Sequence, residues 1–417
     1  MHRIRVGLLA TVACLIAGGC SSGNDHAEIH VDHAETLADQ AVHLTVTGLE
    51  RNAKVSVGAE SVDHDGKKWH SEVTVTADDQ GSIDLDRAEP TGGSYQHADG
   101  MGLFWSMNPP DGDPEQQAYL PPFENGHPIE QVDVFVSTDG KRIASTALTR
   151  RWLRSGATSR TVSLATDKIS GVYAAPPAGP AKHPAVLLIG GSEGGLAPQS
   201  MTELLASHGY PTLALAYFHA PGLPKDLRDI PVEYFASAAR WLARQPGVDP
   251  AHIVVSGTSR GSEAALLASQ NYPDLIHGTI LYAPSATVIE SFPAANGAAW
   301  TLHGQPLRAD GQPIPVDHVT GPVLAVAGTD DLLSQAQYSA RQIVRELDEA
   351  HNRLPHEALV LEGAGHAIGG APYLPRGTTF LNPVLQRPLQ LGGSRAVNEA
   401  ALRQVWPKTL ALLGSLS

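Results

Sequence analysis

The sequence predicts two folded units in tandem, an all-β sandwich followed by an α/β domain whose mostly parallel sheet carries helices on both faces. Two observations carry that prediction. Between about residues 34 and 150, short runs of alternating apolar and polar residues are separated by turn segments such as DHDGKK, ADDQGS and STDGKR. Period-two alternation broken by Asp-Gly turns marks antiparallel strands with one face buried. From about residue 160 the rhythm changes, and continuous apolar runs alternate with helical stretches. A strand that is apolar throughout belongs to a parallel sheet covered on both faces. At 417 residues, 42% apolar and 17% charged, the chain has the length for two domains and the composition of an ordinary globular protein.

In chain order, residues 1–20 read as a leader. Arg3 and Arg5 precede an apolar run from Val6 to Ile16, and small residues then lead to Cys20. That run is shorter than the roughly 20 apolar residues a bilayer span needs, so it reads as a secretory signal. The stretch AGGC, followed by SSGND, resembles the lipobox of bacterial lipoproteins. The resemblance implies lipidation of Cys20 and a place in the cell envelope, anchored to the outer side of the cytoplasmic membrane. The alternative is a secreted chain cut by ordinary signal peptidase near Gly19. With Cys14 in the leader and Cys20 lipidated, the mature chain keeps no thiol for a disulfide, a zinc site or a cysteine nucleophile. A formal charge of -14 without Lys/Arg clusters speaks against nucleic acid as a partner.

Residues 21–33 include His26, His30 and His33 and read as a flexible acidic tether rather than a metal site, because nothing fixes their geometry. The runs AVHLTVTGL, AKVSVGAES, HSEVTVTA, SIDLDRA and QVDVFVST are the expected strands of an immunoglobulin-like sandwich over 34–155. Residues 92–113 are too rich in Gly and Pro to be a strand throughout, and Phe104 and Trp105 within them are expected as core or interdomain aromatics.

Residues 156–417 form the expected α/β domain. Its strands are expected in PAVLLIGG, PTLALAYF, HIVVSG, GTILYAPS, PVLAVAGTDD and EALVLEGAGH. Helical stretches such as QSMTELLASHG, GSEAALLASQN and YSARQIVRELDEA lie between them. Two segments match Gly-x-Ser-x-Gly, one centred on Ser259 and one on Ser192, and with 41 glycines in 417 residues the pattern alone is weak. Context separates the two serines. Ser192 is followed by EGGLAPQ, a loop, before a helix can begin. Ser259 leads straight from a strand into SEAALLAS, with Gly257 and Gly261 on either side, as a sharp strand-to-helix turn requires. The helix N-terminus beneath it favours developing negative charge.

Two further parts follow in the chain order nucleophile, acid, histidine that is found in α/β-hydrolases. VLAVAGTDD ends a strand at Asp331, with Asp330 as the competing acid, and LVLEGAGHAIG places His366 in the glycine loop after the last strand. The oxyanion donors are expected from the N–H of Arg260 together with that of Gly191 or Ser192. Each position also has an ordinary reading. Asp331 could cap a helix beginning at LLSQAQ, His366 is one of 19 histidines, and Arg260 with Glu263 could be a surface pair of small energetic weight. The segment 286–320, rich in Gly, Pro and Ala, is expected to be a lid or acyl-binding insert.

The segments GSIDLDRAEPTGGSYQHADGMGLFWSM, LPKDLRDIPVEYFASAARWLARQPGVDP, GTSRGSEAALLAS, AAWTLHGQPL and EGAGHAIGGAPYLP resemble the acyl-CoA thioesterase and bile-acid-CoA:amino-acid N-acyltransferase family. The resemblance covers nearly everything after the leader. It implies a β-sandwich joined to an α/β-hydrolase domain, a triad of Ser259, Asp331 and His366, an acyl thioester or ester substrate, and neither metal nor cofactor. Acyltransferases of the family tend to carry cysteine at the turn and its thioesterases serine, so Ser259 tilts the expectation to hydrolysis. Coenzyme A is cytosolic, so a lipid-anchored protein outside the membrane is expected to meet another acyl ester or thioester. The competing expectations are acyl transfer to an amine or alcohol, and a binding lipoprotein on a degenerate hydrolase scaffold.

Overall fold

A computed structural model describes residues 26–197 and 199–417. Cys20, the expected lipidation site, and the leader lie outside the described residues. Eight strands make the larger sheet: β1 (Thr158–Val162), β2 (Ser170–Ala175), β3 (His183–Ile189), β4 (Thr212–Ala216), β5 (Val248–Thr258), β6 (Gly278–Tyr282), β7 (Val323–Gly328) and β8 (His356–Leu361). Their spatial order is β1-β2-β4-β3-β5-β6-β7-β8. β2 runs antiparallel to β1 and β4, and every other neighbouring pair is parallel. This is the α/β-hydrolase sheet, and the winding reverses between β3 and β5. A crevice for ligand opens at the carboxyl ends of the strands flanking such a reversal.

β4, β6 and β7 are buried at every residue, as strands covered on both faces must be. Adjacent residues of a strand serve different cores. Val186, Val254 and Ile280 join one cluster while Leu187, Val255 and Leu281 join the other. Helix α1 (Gln199–Ser207) and helix α5 (Arg395–Gly414) pack into the first, and α2 (Val232–Ala243) and α3 (Arg260–Asn271) into the second. α4 (Ala336–Glu349) buries only Ala336, Ala340, Ile343 and Leu347, the spacing of a single helix face. Among the described residues no helix is long and apolar enough to cross a membrane.

The first unit is two packed sheets, one three-stranded and one seven-stranded. Its core, with Trp69, Val57 and Val134, is continuous with the α1/α5 face of the larger sheet. Phe104 is fully buried there, and Trp105 donates from Nε1 to Asp99 Oδ2 at 2.8 Å, in a region that also receives Arg403 and Arg395 from α5.

Two expectations are corrected. Residues 28–31, read as part of a tether, form the strand Glu28–Val31, paired antiparallel with Leu44–Thr47, because Ile29 and Val31 alternate onto the apolar core. Lys141–Arg151, outside the strand runs read from the sequence, is a long strand paired with His127–Thr138. Asp139 and Gly140, at φ 49° and 75°, make the two-residue hairpin turn that joins them. In 286–320, expected as a lid or acyl-binding insert, Ala286, Ala299, Trp300, Ile314 and Val316 are buried in the second core, so the segment is packed against the domain and is not a free lid.

Candidate active site

β5 ends at Thr258 and α3 begins at Arg260, so the whole change of direction falls on Ser259, at φ 53° and ψ -119°. A side-chain-bearing residue adopts such a conformation only where its surroundings over-determine it. The glycines supply that constraint. A Cβ at Gly257 would lie 2.2 Å from the Gly261 carbonyl oxygen, and one at Gly261 would lie 2.3 Å from that of Gly190. The Ser259 N–H donates to Tyr282 O at the end of β6 at 2.8 Å, and Ser262 N–H and Oγ–H donate to Ser259 O at 2.9 and 2.6 Å. Ser192 has no such turn. It lies in the loop after β3 and accepts a 3.3 Å hydrogen bond at Oγ from Asn382 Nδ2.

Asp331 follows β7 and His366 follows β8, and the two meet: His366 Nδ1 lies 2.8 Å from Asp331 Oδ2, with 9% and 2% of the side chains exposed. Asp331 also has the capping role that its loop allowed, since Oδ1 accepts from the N–H groups of Leu333 and Ser334 at 2.8 and 3.0 Å. Burial pulls its pKa upward. The hydrogen bond and charge of His366 and the two backbone donors outweigh that and hold it below the ordinary aspartate range. Asp330 faces elsewhere, accepting from the Gly393 N–H at 2.8 Å.

Arg260 and Glu263 correct the expectation of a surface pair. α3 is buried from Arg260 to Gln270, so a pair three residues apart lies inside the protein, with Arg260 Nε 2.6 Å from Glu263 Oε1. Glu263 Oε2 accepts from Ile289 N–H and Trp300 Nε1, and Arg260 Nη2 donates to Ile289 O and Glu290 O. The pair therefore fastens the start of the 286–320 segment to the helix that follows Ser259.

Of the expected oxyanion donors, Arg260 is the first residue of α3, so its N–H is one that a helix leaves without an intrahelical acceptor. The Gly191 N–H is already engaged, donating to Glu193 Oε1 at 2.7 Å. The Ser192 N–H has no hydrogen-bond acceptor among the described residues. Two residues of this region were passed over in the sequence. Glu193 is a carboxylate inside the glycine loop itself, which was a readable signal. Tyr217, whose hydroxyl donates to Gly190 O and Gly191 O at 3.0 and 3.1 Å, follows β4 with no distinguishing pattern. His43, Asp84 and Asp86, at the sandwich surface, offer ligand atoms within 4.8 Å of one another.

The chain overlays a solved puromycin-hydrolyzing peptidase of Mycobacterium tuberculosis with a TM-score of 0.45 and 14% identity, over 93% of this chain and 67% of that one. It is 27% identical to acyl-coenzyme A amino acid N-acyltransferase 1 of Mus musculus, over 89% of this chain and 94% of that protein. It is likewise 27% identical to the peroxisomal succinyl-coenzyme A thioesterase of Mus musculus, over 90% of this chain and 93% of that protein. Residues 39–164 match the acyl-CoA thioester hydrolase/BAAT N-terminal region, and residues 230–299 and 300–415 match the BAAT/acyl-CoA thioester hydrolase C-terminal domain. The chain therefore belongs to the acyl-CoA thioester hydrolase and bile-acid-CoA:amino-acid N-acyltransferase family.

Proposed function

We propose that the protein is an acyl-thioester hydrolase that works through an acyl-enzyme on Ser259, with His366 as general base and Asp331 as the orienting acid. The observation that carries this reading is a serine held in a sharp strand-to-helix turn at the same end of the sheet as a buried histidine bonded to a carboxylate. His366 Nε2 takes the Ser259 proton as Oγ attacks the acyl carbonyl, while Asp331 fixes the Nδ1–H tautomer and stabilises the imidazolium. The tetrahedral oxyanion is received by the N–H of Arg260 and that of Ser192, each such donor being worth about 10²–10³ in rate. The imidazolium then protonates the departing thiol, and water, activated by the same histidine, releases the acid and frees Ser259.

Thiol release from acyl-CoAs of several chain lengths, measured beside hydrolysis of matched oxygen esters on residues 21–417, tests the reading. Thioester cleavage that exceeds ester cleavage and vanishes in Ser259→Ala supports it. Cleavage of the oxygen esters alone means that the fold was kept and the substrate changed. Relatives named as N-acyltransferases match as well as the thioesterase does. Acyl transfer is therefore the second reading, and products that carry the acyl group on an added amino acid would select it. Failure of a fluorophosphonate to label the folded protein would instead indicate a binding protein on this scaffold.

We further propose that Cys20 carries a lipid anchor and that the natural substrate is an acyl ester or thioester met at the cell envelope. The AGGC stretch after a short apolar leader supports it. Cys20→Ala is expected to move the protein from the membrane pellet to the soluble fraction. Finding the full-length, uncleaved chain in the cytosol would refute it.

A further inference from the structure

The loop between β3 and α1 is held from two sides. On one, the Tyr217 hydroxyl bonds the carbonyls of Gly190 and Gly191. On the other, the Glu193 side chain folds back over its own loop and its Oε1 accepts the Gly191 N–H at 2.7 Å. The carboxylate lies flat against those two glycines. A Cβ at Gly190 would be 2.7 Å from Oε1, and one at Gly191 would be 2.8 Å from Oε2 and 3.2 Å from the Ser259 Cβ. The Glu193 carboxylate thus sits beside the turn that carries Ser259. Burial pushes its carboxyl above the ordinary glutamate range, against the pull of its own N–H, the Gly191 N–H and the charge of His366.

Resting on the proposed serine chemistry, we propose that Glu193 is a positioning residue of this site. By occupying the Gly191 N–H it fixes the register of the loop and leaves the Ser192 N–H as the second oxyanion donor. Glu193→Ala frees the Gly191 N–H and lets the loop turn. Glu193→Gln keeps an oxygen acceptor for it.

The experiment compares the wild-type chain, Glu193→Ala, Glu193→Gln and Ser259→Ala on the thioester that the wild type cleaves best, with thermal melting of each. Glu193→Ala is expected to lower kcat by about 10- to 100-fold with little change in KM, somewhat less than outright loss of an oxyanion donor. Glu193→Gln is expected to recover most of that rate, because its amide oxygen can still accept from the Gly191 N–H. A kcat in Glu193→Ala within twofold of wild type, or a Gln variant no better than Ala, would each overturn the proposal. If Glu193→Ala does not fold, Glu193→Gln decides alone: a kcat within about threefold of wild type supports the proposal and a loss of about tenfold overturns it. Residual cleavage in Ser259→Ala would count against the serine reading and not against the role of Glu193.

Discussion

Gly261→Ala is the sharpest test of how the turn is built. Gly261 has no left-handed backbone, so the substitution meets no conformational penalty and its effect is purely one of space. The new Cβ would lie 2.3 Å from Gly190 O, 2.7 Å from Ile189 O and 3.0 Å from Ile189 Cγ2. Two of these three are backbone atoms of the sheet and its loop, which cannot swing aside as a side chain would. Reaching an ordinary contact of 3.4 Å requires α3 and the end of β3 to part by about 1.1 Å. That parting separates the Arg260 N–H from the Ser192 N–H, and a displacement near 1 Å is expected to lower kcat by about 10². Overpacking of this kind costs about 1–3 kcal/mol of stability. Steady-state thioester hydrolysis and urea unfolding measure both quantities, with Gly179→Ala as control, since a Cβ at Gly179 meets nothing within 4 Å. If Gly261→Ala keeps its kcat within threefold of wild type, the close approach of α3 to β3 does not set the site.

Asp331→Asn is expected to lower kcat by about 10⁴ through the wrong histidine tautomer. Asp330→Asn, which still offers Gly393 an oxygen, should leave kcat within about threefold; a large loss there with a small one in Asp331→Asn would exchange their roles. The folded-state pKa of Asp331 is depressed, so its contribution to stability is present above the ordinary aspartate value and is lost as pH falls through the lower one. Melting curves of Asp331→Asn from pH 6 to 3 should therefore show a shallower acid decline than the wild type. Arg150 and Glu130 are a fully buried pair at 2.6 Å, and Arg150 also donates to Tyr373 O and Ala38 O. Arg150→Ala leaves the Glu130 charge unpaired and is expected to cost about 3–5 kcal/mol by urea unfolding.

What the sequence makes legible is whatever a local pattern decides. The two-unit architecture is readable because period-two runs give way to continuous apolar runs, and each pattern corresponds to one kind of sheet. Ser259 is separable from Ser192 because Gly257 and Gly261 serve a single turn, and Asp331 and His366 are readable as residues in the loops that follow two strands. What escapes is decided by distant partners. Glu28–Val31 looks like a tail until Leu44–Thr47 supplies its neighbour. Arg260 and Glu263 look like a surface pair until Ile289 and Trp300 close over them. Glu193 is in plain view, but its direction depends on a loop that folds back onto itself.

The contact between the two units explains why a sandwich accompanies this hydrolase domain. Residues 367–378, the stretch after His366, contain neither helix nor strand, and an unsupported loop of that length would leave the histidine poorly fixed. The sandwich side supports it at three points. Arg150 donates to Tyr373 O at 3.0 Å, the Tyr119 N–H donates to Pro375 O at 3.0 Å, and the Thr378 N–H donates to Glu115 O at 2.6 Å. At Gly377 the two segments approach so closely that a Cβ would lie 2.6 Å from Gln117 O and 2.8 Å from both Gln117 N and Glu115 O. Gly377→Ala should therefore prise the sandwich from the loop while leaving the Ser259 turn untouched. Through His366 it should lower kcat by about tenfold or more, since catalysis falls steeply with misplacement of a reacting group. An unchanged kcat, with the two units still melting as one, would mean that the loop holds His366 by itself and that the sandwich serves stability alone.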